Sequence, residues 1–159
     1  MNRMLSLALM SLSIAMTAIT LSVAQDRLGN EGTRERFVGA WRLAWLEEEG
    51  ADGKINRADC TGLLVYTRDG HMSVQVMYRN PPAATNAAPL QYAQGGYEAS
   101  FGTYEIDEAA HGFTYHVEGA LVRSLIGKDL PRAFEFSGKQ LIVKSTHPEE
   151  RWRVAWEHY

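Results

Sequence analysis

The chain has 159 residues, 45% hydrophobic and 22% charged, with a formal net charge of −3. It is mildly acidic and carries no basic run, which argues against a nucleic-acid partner. Its single cysteine, Cys60, excludes an internal disulfide. Cys60 stands beside Asp59 with no activating cation, so it reads as a small semi-buried residue rather than a reactive thiol.

Met1-Asn2-Arg3-Met4 carries one positive charge and leads into an apolar run from Leu5 to Leu21. Small residues Ser22 and Ala24 then precede polar Gln25-Asp26. This is the order of a secretory signal peptide cut after Ala24. As a membrane anchor the run is diluted by Ser11, Ser13, Thr17 and Thr20, whereas a span needs roughly 20 apolar residues. The expectation is a signal over residues 1–24, a periplasmic or secreted product, and no membrane span once the signal is removed. What remains is long enough for one domain with a real core and too short for two.

Residues 25–36 are polar and hold Gly29, Asn30 and Gly32, the composition of a flexible lead-in. Thr33 can cap a short helical turn whose Phe37 and Val38 plug into the domain of residues 37–159. From Gly39 the pattern has period two: Trp41, Leu43 and Trp45 alternate with Arg42, Ala44 and Leu46, as in a strand with one face on a core. This strand is expected to dissolve at Glu47-Glu48-Glu49 before a turn at Gly50 and Asp52-Gly53. Residues 63–67 and 71–78 flank Arg68-Asp69-Gly70, with Gly70 placed where a three-residue hairpin loop needs a left-handed residue. In the second arm Met72, Val74, Val76 and Tyr78 share one face.

Residues 80–94 break the pattern with Pro81-Pro82, an Ala-rich run and Pro89, a length suited to a lid or binding loop. A short helix over residues 91–100 is expected. Strands then resume at 101–107, 112–119, 132–137, 140–146 and 151–158. About eight sequential strands without intervening helices make the sheet antiparallel, and closure into an up-and-down barrel removes its edges. A barrel of that size is filled by side chains or holds one small ligand.

Gly39-Ala40-Trp41 resembles the Gly-x-Trp signature that opens lipocalins. The stretch Gly62 to Ser73 resembles a narrower group, the lipocalin-like domain proteins of bacteria and fungi. So do Phe101 to Ile106, His116-Val117-Glu118-Gly119, Gly127 with Arg132 to Leu141, and Arg153 to Glu157. The resemblance runs from about Phe37 to Glu157. Relatives often carry two His at Tyr115-His116 and Pro-Asn-Trp at Val122-Arg123-Ser124, and this chain departs from both. The resemblance implies a calycin-type barrel with an apolar interior, Trp41 plugging its closed end, and Arg153 or Arg151 stacked on that Trp. Gly39, Trp41 and Arg153 are accordingly structural.

His116 and Glu118 lie two apart and share a face, opposite Phe113, Tyr115 and Val117. If they point inward they form a candidate acid–base pair; otherwise they are a polar pair that pins register. Arg132 shares a face with Phe134 and Phe136, where it can pair with Glu118 or bind a ligand carboxylate. Tyr104 can offer a hydroxyl to a cavity, and Tyr78 and Met72 suit its wall. The five His lack zinc spacing, and neither a Gly-x-Ser-x-Gly elbow nor a phosphate loop occurs, so no metal or cofactor is expected. Three readings follow. The protein binds or carries a small, mainly apolar molecule through Tyr104, His116, Glu118, Arg132, Phe134, Tyr78 and Met72. Alternatively it is a small isomerase or cyclase using His116 and Glu118, or a barrel packed solid by Trp41, Trp45, Phe134, Phe136 and Trp156.

Overall fold

A computed structural model describes residues 32–50, 52–80 and 96–159. The signal segment, and all of the 80–94 loop except Asn80, lie outside these residues. Residues 32–37 are helical. Phe37–Tyr159 forms one compact unit.

Nine strands follow in chain order: β1 (Gly39–Glu49), β2 (Ile55–Arg57), β3 (Cys60–Tyr66), β4 (His71–Tyr78), β5 (Tyr97–Asp107), β6 (Gly112–Ala120), β7 (Asp129–Ser137), β8 (Gln140–Ser145) and β9 (Trp152–His158). A single 3-10 turn, Arg123–Leu125, sits between β6 and β7. Each strand from β3 to β9 pairs antiparallel with its sequence neighbour, and β1 pairs with both β3 and β9. Eight strands therefore close a barrel, and β2 is a ninth strand attached to the end of β1.

The expected hairpin is present. Gly70 adopts φ +94° in its loop, and the Thr67 N–H donates to the His71 carbonyl at 2.9 Å across its base. Three expectations need correction. β1 runs on through Glu47-Glu48-Glu49, because β9 and β2 flank its end and satisfy its backbone from both sides. Glu47 is held there by Arg153 at 2.6 Å and Arg57 at 3.3 Å. Residues 97–100, expected as helix, are the first turnless stretch of β5, because Tyr97 to Ser100 have partners Met77 to Val74 across the ladder. β7 begins at Asp129, three residues early, carried by the pairing of His116 with Asp129.

One half of the interior is solid. Phe37 is fully buried, with five other rings around it: Tyr66, Phe113, Phe134 and Phe136 edge-on at 4.9–5.6 Å, and Tyr104 stacked at 6.2 Å. Edge-to-face geometry sets the positive rim of one ring against the negative face of the next. Trp41 Nε1 donates to the Phe37 carbonyl at 2.8 Å, which ties the start of β1 to this plug. The residue stacked on Trp41 is His158, at 3.6 Å between ring centres, and not Arg153. Arg153 and Arg57 instead lie over the outward-facing Trp45, because Glu47 draws both guanidinium groups to that side. Arg151 pairs with Glu49. Gly39 is required beneath His158: its φ is +140°, and a Cβ there would come within 2.6 Å of the imidazole.

Replacing Phe37 by Ala is expected to cost about 3–5 kcal/mol, since the cavity left among five aromatic neighbours cannot collapse. Urea unfolding measures this, and a loss below about 1 kcal/mol would show that the plug is held without it.

Candidate functional site

The other half of the barrel is open. A cavity of about 700 Å³ opens to solvent above the aromatic plug. Period two along β4 brings Met72, Val74, Val76 and Tyr78 to its wall, as the hairpin pattern requires. Leu64 and Tyr66 on β3, Phe113 and Tyr115 on β6, Leu130 on β7, Val143 on β8 and Val154 and Trp156 on β9 complete an apolar and aromatic lining. A register irregularity in β1 decides what else enters. Between Leu43 and Trp45 the pairing of β1 with β9 slips by one residue. The inward set therefore changes from Trp41 and Leu43 to Leu46 and Glu48, and Glu47 is left outside. Along β5 the alternation is unbroken, so Glu98 and Ser100, which line the cavity, share a face with Tyr104, which is in the plug; the slip between Phe101 and Gly102 leaves its extra residue, Glu118, on β6.

Few polar groups face this space, and most are occupied. The Tyr78 hydroxyl donates to the Glu48 carboxylate, 2.6 and 2.7 Å from its two oxygens. Burial, and then this carboxylate, push the Tyr78 phenol well above its ordinary range. Arg132 Nη1 donates to the Pro131 carbonyl, Ser145 Oγ and Glu150 Oε2 at 3.2–3.4 Å, and its guanidinium lies over Trp152 at 5.1 Å. Tyr115 is buried, and its hydroxyl has no hydrogen-bond partner among the described residues; it approaches Ser100 without the alignment of a formed bond. Glu98 is an exposed residue of the cavity wall, yet that wall partly desolvates it and pushes its carboxyl above the ordinary value, with Arg132 pulling the other way. Among the described residues no group of three or more His, Cys, Asp or Glu is placed to hold a metal.

A family model for the lipocalin-like domain matches residues 38–158. The chain belongs to this family. A lipocalin-like protein from Bacteroides uniformis is similar in structure at 15% identity, over 78% of this chain and 99% of that one, with a TM-score of 0.45. A variant of the fluorescent protein UnaG is similar at 14% identity, over 79% of this chain and 97% of that one, with a TM-score of 0.38. No curated protein matches the chain.

The lipocalin-like barrel separates the residues singled out from sequence. Met72, Tyr78 and Arg132 line the cavity. Tyr104 and Phe134 do not: both are buried in the plug, and the Tyr104 hydroxyl donates to the Thr67 carbonyl at 3.0 Å. His116 and Glu118 are on the outer wall, because Phe113, Tyr115 and Val117 take the inner face of β6. His116 Nδ1 lies 2.7 Å from Asp129 Oδ1 on the adjoining strand, a contact that pins the β6–β7 register. Arg132 is on the inner side and takes Glu150, not Glu118, as its ion-pair partner. The candidate acid–base pair of His116 and Glu118 therefore does not face the cavity. Glu48, Glu98 and Tyr115, absent from the sequence-based set, stand in the cavity instead.

The raised carboxyl of Glu98 has a consequence for stability. Between the ordinary value of 4.5 and its higher folded value the folded state binds more protons, so this group makes stability fall as pH rises through that window. Glu98→Gln is expected to melt slightly above the wild type at pH 7, with the difference vanishing below pH 4.5. Thermal melts across that range check it, and a variant that melts lower at pH 7 contradicts it.

Proposed function

We propose that this lipocalin-like protein is exported and binds or carries one small, mainly apolar molecule inside its barrel. The observation that carries this reading is the half-filled interior, where a cavity of about 700 Å³ with an apolar and aromatic wall stands open above a close-packed floor. Open apolar surface of this size is costly to leave to water, and convergent polar groups within it are the usual form of a small-molecule site. A barrel packed solid is not what the interior shows, since Trp45 faces outward and only the Phe37 half is filled.

Incubation with lipid and aromatic metabolite extracts, followed by native mass spectrometry, is expected to return a bound small molecule. Filling the cavity with Val74→Trp and Val76→Trp together should weaken binding of an apolar fluorescent dye by at least about tenfold while the strand circular dichroism persists. Unchanged dye affinity would place the ligand elsewhere.

Export is supported by the charge, apolar run and small-x-small order of residues 1–24. Among the described residues no helix is long and apolar enough to cross a membrane. N-terminal sequencing of the protein recovered from a periplasmic or culture fraction should begin at Gln25, and recovery only in uncleaved form would refute the signal.

A further inference from the structure

The charged groups of the cavity are unbalanced, and the imbalance is toward negative. Both cations on the wall have carboxylate partners, Arg151 with Glu49 at 2.9 Å and Arg132 with Glu150 at 3.4 Å. Glu48, Glu98 and Glu149 also line the space, and none of them faces a Lys or Arg within ion-pair distance among the described residues. An entering carboxylate would add charge to this wall or displace Glu150 from Arg132. An entering cation would relieve it.

An independent observation marks the same place. Tyr115 is only 5% exposed, lines the cavity, and holds its hydroxyl without a hydrogen-bond partner among the described residues. A buried hydroxyl left unpaired is costly unless something arrives to use it. Glu98 is near enough to act on it electrostatically.

Resting on the reading of the barrel as a binder of apolar molecules, we propose that its ligand class is the lipophilic amine. Glu98 serves as counter-ion to the protonated nitrogen, and the Tyr115 hydroxyl accepts one of its N–H groups. The apolar body of the ligand then lies against Val74, Val76 and Leu64. Glu98 has the role of specificity determinant, and the apolar wall supplies affinity common to any ligand of similar body.

Isothermal titration of the protein at pH 7 with decylamine, decanol and decanoate tests this, with each probe kept below its aggregation concentration. Decylamine is expected to bind about tenfold or more tighter than decanol, and decanoate weaker than both. Glu98→Gln should bring the ratio of amine to alcohol affinity close to one, whereas Glu135→Gln on the outer wall should leave the ratio intact. Equal affinities for amine and alcohol, a preference for decanoate, or an amine preference that survives Glu98→Gln each overturns the assignment. Binding of decanol without the amine preference leaves the apolar-binding reading standing and removes only this one. Failure of all three probes to bind removes both.

Discussion

The structure depends on β1 having partners on both sides. Its first residues pair with β3, its middle and end with β9, and its last three with β2 as well. Without the β1–β9 ladder the sheet would end in two open edges, each a row of unpaired amides and carbonyls. Closing eight strands also fixes the lumen diameter, and with it the choice between filling and enclosing. The irregularity at Leu43 and Trp45 follows from the same demand. One strand serving several neighbours changes which of its faces looks inward, and this places Glu48 inside and Glu47 outside.

The barrel divides its interior by residue size. At one end Phe37 enters the lumen and six rings, its own included, occupy the space with edge-on contacts. At the other the inward positions of β4 are Val74 and Val76, and Val143 and Val154 face them from β8 and β9. Smaller side chains at the same wall radius leave room that no other side chain of the described residues fills. Arg132 lies at the boundary, with Trp152 under its guanidinium and Glu150 at its edge. Its charge is thereby tolerated in a wall that is otherwise mostly apolar.

Much of this was legible from sequence. The hairpin about Gly70 and the inward face of β4 follow from period two and a glycine at the turn. Gly39 and Trp41, read from sequence as structural, both lie against His158 rather than against an Arg. The failures share a cause. Period two cannot say which face of a strand is inner when both carry apolar groups, so Tyr115 and His116 were not separable. Nor does it survive a bulge, and Glu48 lies at a strand end beyond one. Glu48 sat in a run of three acids that resembles a solvated turn. Glu98 followed Gly95-Gly96 and an Ala-rich segment, where no alternation is established.

The aromatic plug and the open half share strands but few side chains. Residues that keep the barrel folded are concentrated around Phe37, while those that line the open cavity are spaced along the opposite ends of the same strands. Change can therefore accumulate in one half with little penalty in the other. A lineage using this scaffold can exchange Val74, Val76, Glu98 or Tyr115 and reshape the cavity without re-solving the folding problem. Divergent sequences at the mouth over an invariant floor would be the expected trace of that freedom.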